Sequence, residues 1–164
     1  MRNVLFTMVW AYLMLVLLSG CATSEERAAR AAEQVIKVKA ALAERNYKIN
    51  VDRMYPMKGG SKSVSYGYSV EVRNDSLISY LPYFGRAYKV PYGGGKGLNF
   101  SERIGSYHEV VMKNGKCHIE IGVSNEEDTY LYTIDVYDNG NSSIDVQPRQ
   151  RERISYSGEL DLRK

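Results

Sequence analysis

The chain has 164 residues, with 22 Lys and Arg against 19 Asp and Glu, a formal charge of +3. That length supports one domain with one modest core, and the near balance of charge excludes the basic footprint of a nucleic-acid partner. Tyrosine is the outlier, 14 residues against 3 Phe and 1 Trp, and it suits strands, half-wet surfaces and ligand grooves.

The chain opens with Met1 and a basic Arg2, then an uncharged apolar run from Val4 to Leu18 in which Thr7 is the one polar residue. The run is short of the roughly 20 apolar residues of a spanning helix, and reads as the h-region of a secretory signal over residues 1–20. Leu18-Ser19-Gly20-Cys21 closes it with small residues and an immediate cysteine, and resembles a bacterial lipobox. Resemblance to lipoproteins implies cleavage before Cys21, a diacylglyceryl thioether on its sulfur, and a new amino terminus acylated with a chain such as palmitate. The expected membrane partner is then reached through lipid on Cys21. Each buried methylene contributes about 0.8 kcal/mol, so three chains hold a protein on a bilayer more or less permanently. The competing reading is an ordinary secretory peptide cut elsewhere. Removing residues 1–20 takes away Arg2 and leaves 21 basic against 19 acidic residues, a formal +2. With Cys21 acylated, Cys117 is the only thiol left in an oxidising envelope, so no internal disulfide forms.

Residues 21–27 read as lipidated cysteine and polar tether. The acidic pair Glu25-Glu26 loosely resembles signals that send some lipoproteins to the outer cell face, so the expected location is the bacterial cell envelope, at the outer membrane. From Ser24 to about Asn46 there is no Gly or Pro, and Ala28, Ala31, Val35, Val38 and Leu42 share one side. This is an amphipathic helix, assigned as a unit over 28–46.

From Tyr47 the hydrophobic period becomes two. Tyr47, Ile49 and Val51 alternate with polar residues, and Val64, Tyr66, Tyr68, Val70 and Val72 face one side of a second strand. Asn74-Asp75-Ser76 breaks the run before Leu77–Leu81. Asn114-Gly115 predicts a two-residue hairpin turn that pairs Met112 with Cys117, Val110 with Ile119 and His108 with Ile121 on a core face. Val111 with His118 and Glu109 with Glu120 then lie on the outer face. At Asn139-Gly140 a three-residue loop with a bulge is expected to set Ile144 opposite Val136 and Val146 opposite Ile134. Ile154, Tyr156, Leu160 and Leu162 mark a closing strand. About eight strands in hairpin succession define a mainly β fold over 47–164, an antiparallel meander closing into a flattened, lipocalin-like barrel, with a β-sandwich as the alternative.

His108, Cys117 and His118 invite a metal reading, which the hairpin register defeats because no three of them converge. Glu109 and Glu120, expected directly opposite, form a candidate acid–base pair. Gly93-Gly94-Gly95-Lys96-Gly97 lacks the hydroxyl residue, spacing and helix of a phosphate loop and reads as a plain loop. No cofactor is expected. Tyr80–Tyr92, YLPYFGRAYKVPY, differs in kind, too aromatic for an exposed loop and too proline-broken for a central strand. It either plugs one barrel end or, through Tyr83, Phe84, Arg86, Tyr88 and Tyr92, forms a groove with a cation for an acidic or aromatic ligand.

Tyr55-Pro56, the LPYFGRAY stretch Leu81–Tyr88, Pro91-Tyr92-Gly93, Leu98, Phe100 and Ile154-Ser155-Tyr156-Ser157-Gly158 together resemble an uncharacterised group of bacterial envelope lipoproteins, the domain of unknown function numbered 4251. The resemblance covers about Tyr47 to Leu162. It implies a lipid-anchored β-domain of barrel type and brings no catalytic residue or ligand. The expected function is non-enzymatic binding of a small ligand or an envelope protein through Tyr80–Tyr92 and the adjoining Gly93–Gly97 mouth. One alternative is a scaffold docking through the Ser24–Asn46 helix, and a second is a hydrolase using Glu109 and Glu120.

Overall fold

The computed structural model describes residues 24–65, 67–89, 95–113 and 115–162. The signal run, Cys21, Tyr66, Pro91, Tyr92, Gly93, Gly94 and Asn114 lie outside the described residues. The chain forms two compact units, residues 1–33 and 34–164. In the first, residues 24–33 are helical. They belong to helix α1, Ser24–Ala43, so the residues read as tether from Ser24 onward are helical instead. Nothing in that stretch breaks a helix, and Glu25 and Glu26 suit its first turn.

Among the described residues, the second unit holds residues 34–43 of α1 and nine strands: β1 (Asn46–Pro56), β2 (Lys62–Ser63), β3 (Ser69–Arg73), β4 (Ser76–Leu81), β5 (Leu98–Val111), β6 (Cys117–Ser124), β7 (Thr129–Val136), β8 (Asn141–Pro148) and β9 (Ile154–Leu160). Each of β3 to β8 pairs antiparallel with the next, β3 pairs with β1, and β9 returns to β1 from Ile49↔Leu160 to Pro56↔Ile154. That last ladder closes an eight-stranded barrel and removes the sandwich alternative. The second strand of the sequence reading is split: β2 and β3 both lie on the same edge of β1, at Arg53↔Ser63 and at Ile49↔Val70. Gly67, at φ 113°, allows the break between them.

Period-two burial fills the barrel. Ile49, Val70, Leu77, Ile119, Ile134 and Ile144 are fully buried, and so, within 1%, are Tyr130, Tyr132 and Tyr156. An eight-stranded barrel is just wide enough for such side chains to fill, and each contributes about 1.5–3 kcal/mol on burial. The buried hydroxyls are answered: Tyr132 Oη donates to Ser79 Oγ (2.9 Å), which donates to the Leu98 carbonyl (2.7 Å). One barrel end is covered by residues 34–43 of α1, whose Val38 and Leu42 join the core, while Gln34 Nε2 donates to the Asn139 carbonyl (2.6 Å). Arg45, at φ 48°, turns the chain from α1 into β1.

Both Asn-Gly hairpins close as three-residue loops ending in a left-handed glycine. In β5–β6, Met112 N–H donates to the Lys116 carbonyl (2.8 Å) and Gly115 has φ 80°, so Cys117 faces Val111 and Ile119 faces Glu109. This is one residue from the expected register, and it exchanges the faces of β5. Cys117, Ile119 and Ile121 stay inside, but their inward companions on β5 are Val111, Glu109 and Tyr107 rather than Met112, Val110 and His108. The pattern misleads here because the far half of β5 carries exposed apolar residues on both faces, Val110 at 55% and Val111 at 64%. In β7–β8 the expected three-residue loop forms at residues 138–140, with Tyr137 N–H on the Asn141 carbonyl (2.9 Å). Ile144 therefore faces Ile134 and Val146 faces Tyr132, two residues from the expected pairing with the same faces inward.

Candidate functional site

At the barrel end opposite α1, the chain leaves β4 at Leu81 and crosses toward the β8–β9 connection. The crossing is staked along its length. Tyr156 Oη donates to the Pro82 carbonyl (2.7 Å). Tyr83 Oη is shared between the carbonyls of Arg86 (2.9 Å) and Glu152 (3.0 Å). Arg86 N–H donates to Glu152 Oε2 (3.1 Å), Glu152 N–H returns to the Arg86 carbonyl (2.9 Å), and Tyr88 N–H reaches the Gln150 carbonyl (2.7 Å). Gly85 leaves room for this fold-back, since a Cβ there would lie 2.7 Å from Tyr83 Oη and displace it from its two carbonyls. Burial, reinforced by the Glu152 carboxylate, pushes the Tyr83 phenol above its ordinary pKa, so it stays a donor further into alkali than a free tyrosine.

A residue that sequence reasoning did not single out holds the other side of the staple. Asp128, 7% exposed, accepts the backbone N–H groups of Thr129 (2.8 Å), Arg149 (3.1 Å) and Gln150 (3.0 Å to Oδ2). It fixes the strand to which Tyr88 is tied. Arg151, also buried, pairs with Glu127 at 3.1 Å and lies 5.7 Å from the Tyr83 ring centre. The sequence signal for Asp128 is only an acidic residue in a turn before a strand, which many turns share.

On this backbone the side chains divide. Tyr83 is half-buried beneath the segment, whereas Phe84 and Tyr88 point outward with 49% and 70% of their surface exposed. Lys62 Nζ sits 3.6 Å from the Phe84 ring centre, a cation–π contact. Tyr83, Phe84 and Arg86 line a cavity of about 280 Å³ with Lys58, Gly85 and Glu152. Tyr88 lines a neighbouring groove of about 570 Å³ with Met57, Arg149 and Arg153. The structure thus brings together four of the five residues expected to bind ligand. Tyr92 and Cys21 lie outside the described residues. Lys58, Met57 and Arg149 come from other loops, so spacing along the chain gave no sign of them.

The candidate acid–base pair is not formed. Glu109 is opposite Ile119 and faces inward, accepting from Cys117 Sγ (3.4 Å) and Tyr107 Oη (3.2 Å). Glu120 is opposite His108 on the outer face, 3.7 Å from His118 Nε2. The one-residue register change separates them. It also turns His108, expected in the core, out to solvent. His118 Nδ1 lies 2.7 Å from Asp135 Oδ1, and Lys116 Nζ lies 2.9 Å from Oδ2. Burial raises the Asp135 pKa, but these two partners outweigh it and hold the carboxyl below its ordinary value.

These features define a class: a closed antiparallel barrel filled by its own side chains, with a helix over one end and a staked aromatic crossing over the other. The chain belongs to the family described as domain of unknown function DUF4251, whose profile matches residues 29–160. A crystal structure of a DUF4251 family protein from Bacteroides eggerthii DSM 20697 has the same fold, at a TM-score of 0.63 and 16% identity over 79% of this chain and 87% of that one. No curated protein matches the chain.

Proposed function

We propose that this protein is a lipid-anchored domain of the bacterial cell envelope that binds a small acidic, aromatic ligand on the Tyr83–Tyr88 surface. The observation that carries the reading is the exposure of Phe84 and Tyr88 on a backbone held in place by hydrogen bonds to residues 150 and 152. Large aromatic rings held in water on a rigid frame are prepared contact area, because little ordering entropy remains to be lost on binding. Lys58, Arg86 and Arg149 border the same surface and complement a carboxylate or phosphate, with Arg able to form a paired contact. The lipobox-like Leu18–Cys21 supports the anchor.

Native mass spectrometry of the protein purified from its own envelope under mild conditions tests the binding. An extra mass that is lost on denaturation, and that is absent from an Arg86→Ala variant with an unchanged melting temperature, is the expected result. A bare mass, or an Arg86→Ala variant that unfolds, would overturn it and leave the segment as a structural plug. For the anchor, labelled palmitate is expected on the wild type and not on Cys21→Ala. Helix α1, which ends at Ala43 rather than Asn46, is less suited to docking, since its Val38 and Leu42 are already committed to the core.

A further inference from the structure

At the end covered by α1, a second cavity of about 290 Å³ lies between residues 38–43 and the turns of the β5–β6 and β7–β8 hairpins. This is near the lower limit of small-molecule pockets, which run from about 300 Å³. Val38, Leu42, Cys117 and Val136 form apolar walls, each at most 5% exposed, and Val111 stands at the mouth. Two carboxylates share the space, Glu109 and Asp138. Glu109 is held by Cys117 and Tyr107, one on each oxygen, and a carboxylate so engaged still has about two of its four acceptor positions open. Asp138 is folded over Gly115, where any Cβ would collide with its carboxylate. The left-handed glycine therefore does two things: it closes the hairpin and admits the acid. Lys39 also lines the cavity, so acids outnumber bases there by two to one.

We infer that this cavity binds a small organic cation, a primary amine carrying a compact apolar tail. The tail is complementary to the Val38, Leu42 and Val136 walls, and the ammonium to Glu109, exposed at the rim, and Asp138, half-buried in its turn, through charge-assisted hydrogen bonds. The site lies at the opposite end of the barrel from the Tyr83–Tyr88 surface and has the opposite charge preference. An acidic ligand suits one end and a basic ligand the other.

Calorimetric titration of the purified protein with 2-phenylethylamine and with 3-phenylpropionate, similar in size and opposite in charge, tests the assignment. The amine is expected to bind at least about tenfold more tightly than the acid. Glu109→Gln is expected to lower the amine affinity by about tenfold with little change in melting temperature, since one charge-assisted hydrogen bond is lost. If Glu109→Gln does not fold, Asp138→Asn, in a turn, supplies the same comparison. Equal affinity for the two probes, no heat from the amine at millimolar concentration, or full amine affinity in the folded variant would each overturn the proposal.

Discussion

Cys117 shows how far a residue's neighbours govern its chemistry. Its thiol is pushed up to about 12, first by burial and then by the adjacent Glu109 carboxylate, so near pH 8 only about one molecule in ten thousand carries a thiolate. Alkylation by iodoacetamide, followed at the Cys117 peptide, is expected to keep accelerating beyond pH 10, whereas an exposed cysteine levels off near pH 9.5. A plateau at the lower pH would show that the thiol is not shielded as the structure has it. That Cys117 points inward was legible from strand alternation. Its contact with Glu109 was not, because that depends on which face of β5 turns inward, and β5 has apolar residues on both.

Among the elements, the β1–β9 ladder decides whether the sheet closes. It contains a bulge between Val51 and Arg53, opposite Gly158, where an added Cβ would run into the Asn50 carbonyl. Backbone against backbone leaves little room to give, so Gly158→Ala is expected to destabilise the domain by about 3 kcal/mol in urea unfolding. It should also raise hydrogen exchange first at β1 and β9. A neutral Gly158→Ala would mean that the seam is looser than its geometry. The strands themselves were readable from period-two alternation, and the three-residue β7–β8 loop from the apolar partner it gives Ile144. Register was less so: Asn-Gly most often makes a two-residue turn, whereas β5–β6 closes with Met112 bonded to Lys116 and Val111 opposite Cys117.

For the whole molecule, the tyrosine-filled interior has a consequence in alkali. Burial raises the pKa of Tyr47, Tyr130, Tyr132 and Tyr156, and raises Tyr107 to about 12. In the unfolded chain these phenols ionise near 10 and Cys117 near 8.5. The folded state thus retains protons that the unfolded state has released. The stabilisation is complete below about pH 8.5 and is lost as pH rises toward 12. The melting temperature is expected to fall steadily from pH 8.5 to 11, and a flat profile would contradict an interior packed with protonated tyrosine. Truncation through Leu42 is expected to cost about 2–5 kcal/mol for each apolar side chain withdrawn from the covered end. What the sequence by itself determined was local: which segments are strands, which side of each is apolar, and where the aromatic crossing and the lipobox-like run fall, since these rest on period and turn chemistry a few residues long. Closure of β9 on β1, the face that β5 turns inward, and the gathering of Lys58, Arg86, Glu152 and Asp128 around one end were decided by tertiary structure. They depend on contacts between residues up to about a hundred positions apart, whose relative placement no local periodicity encodes.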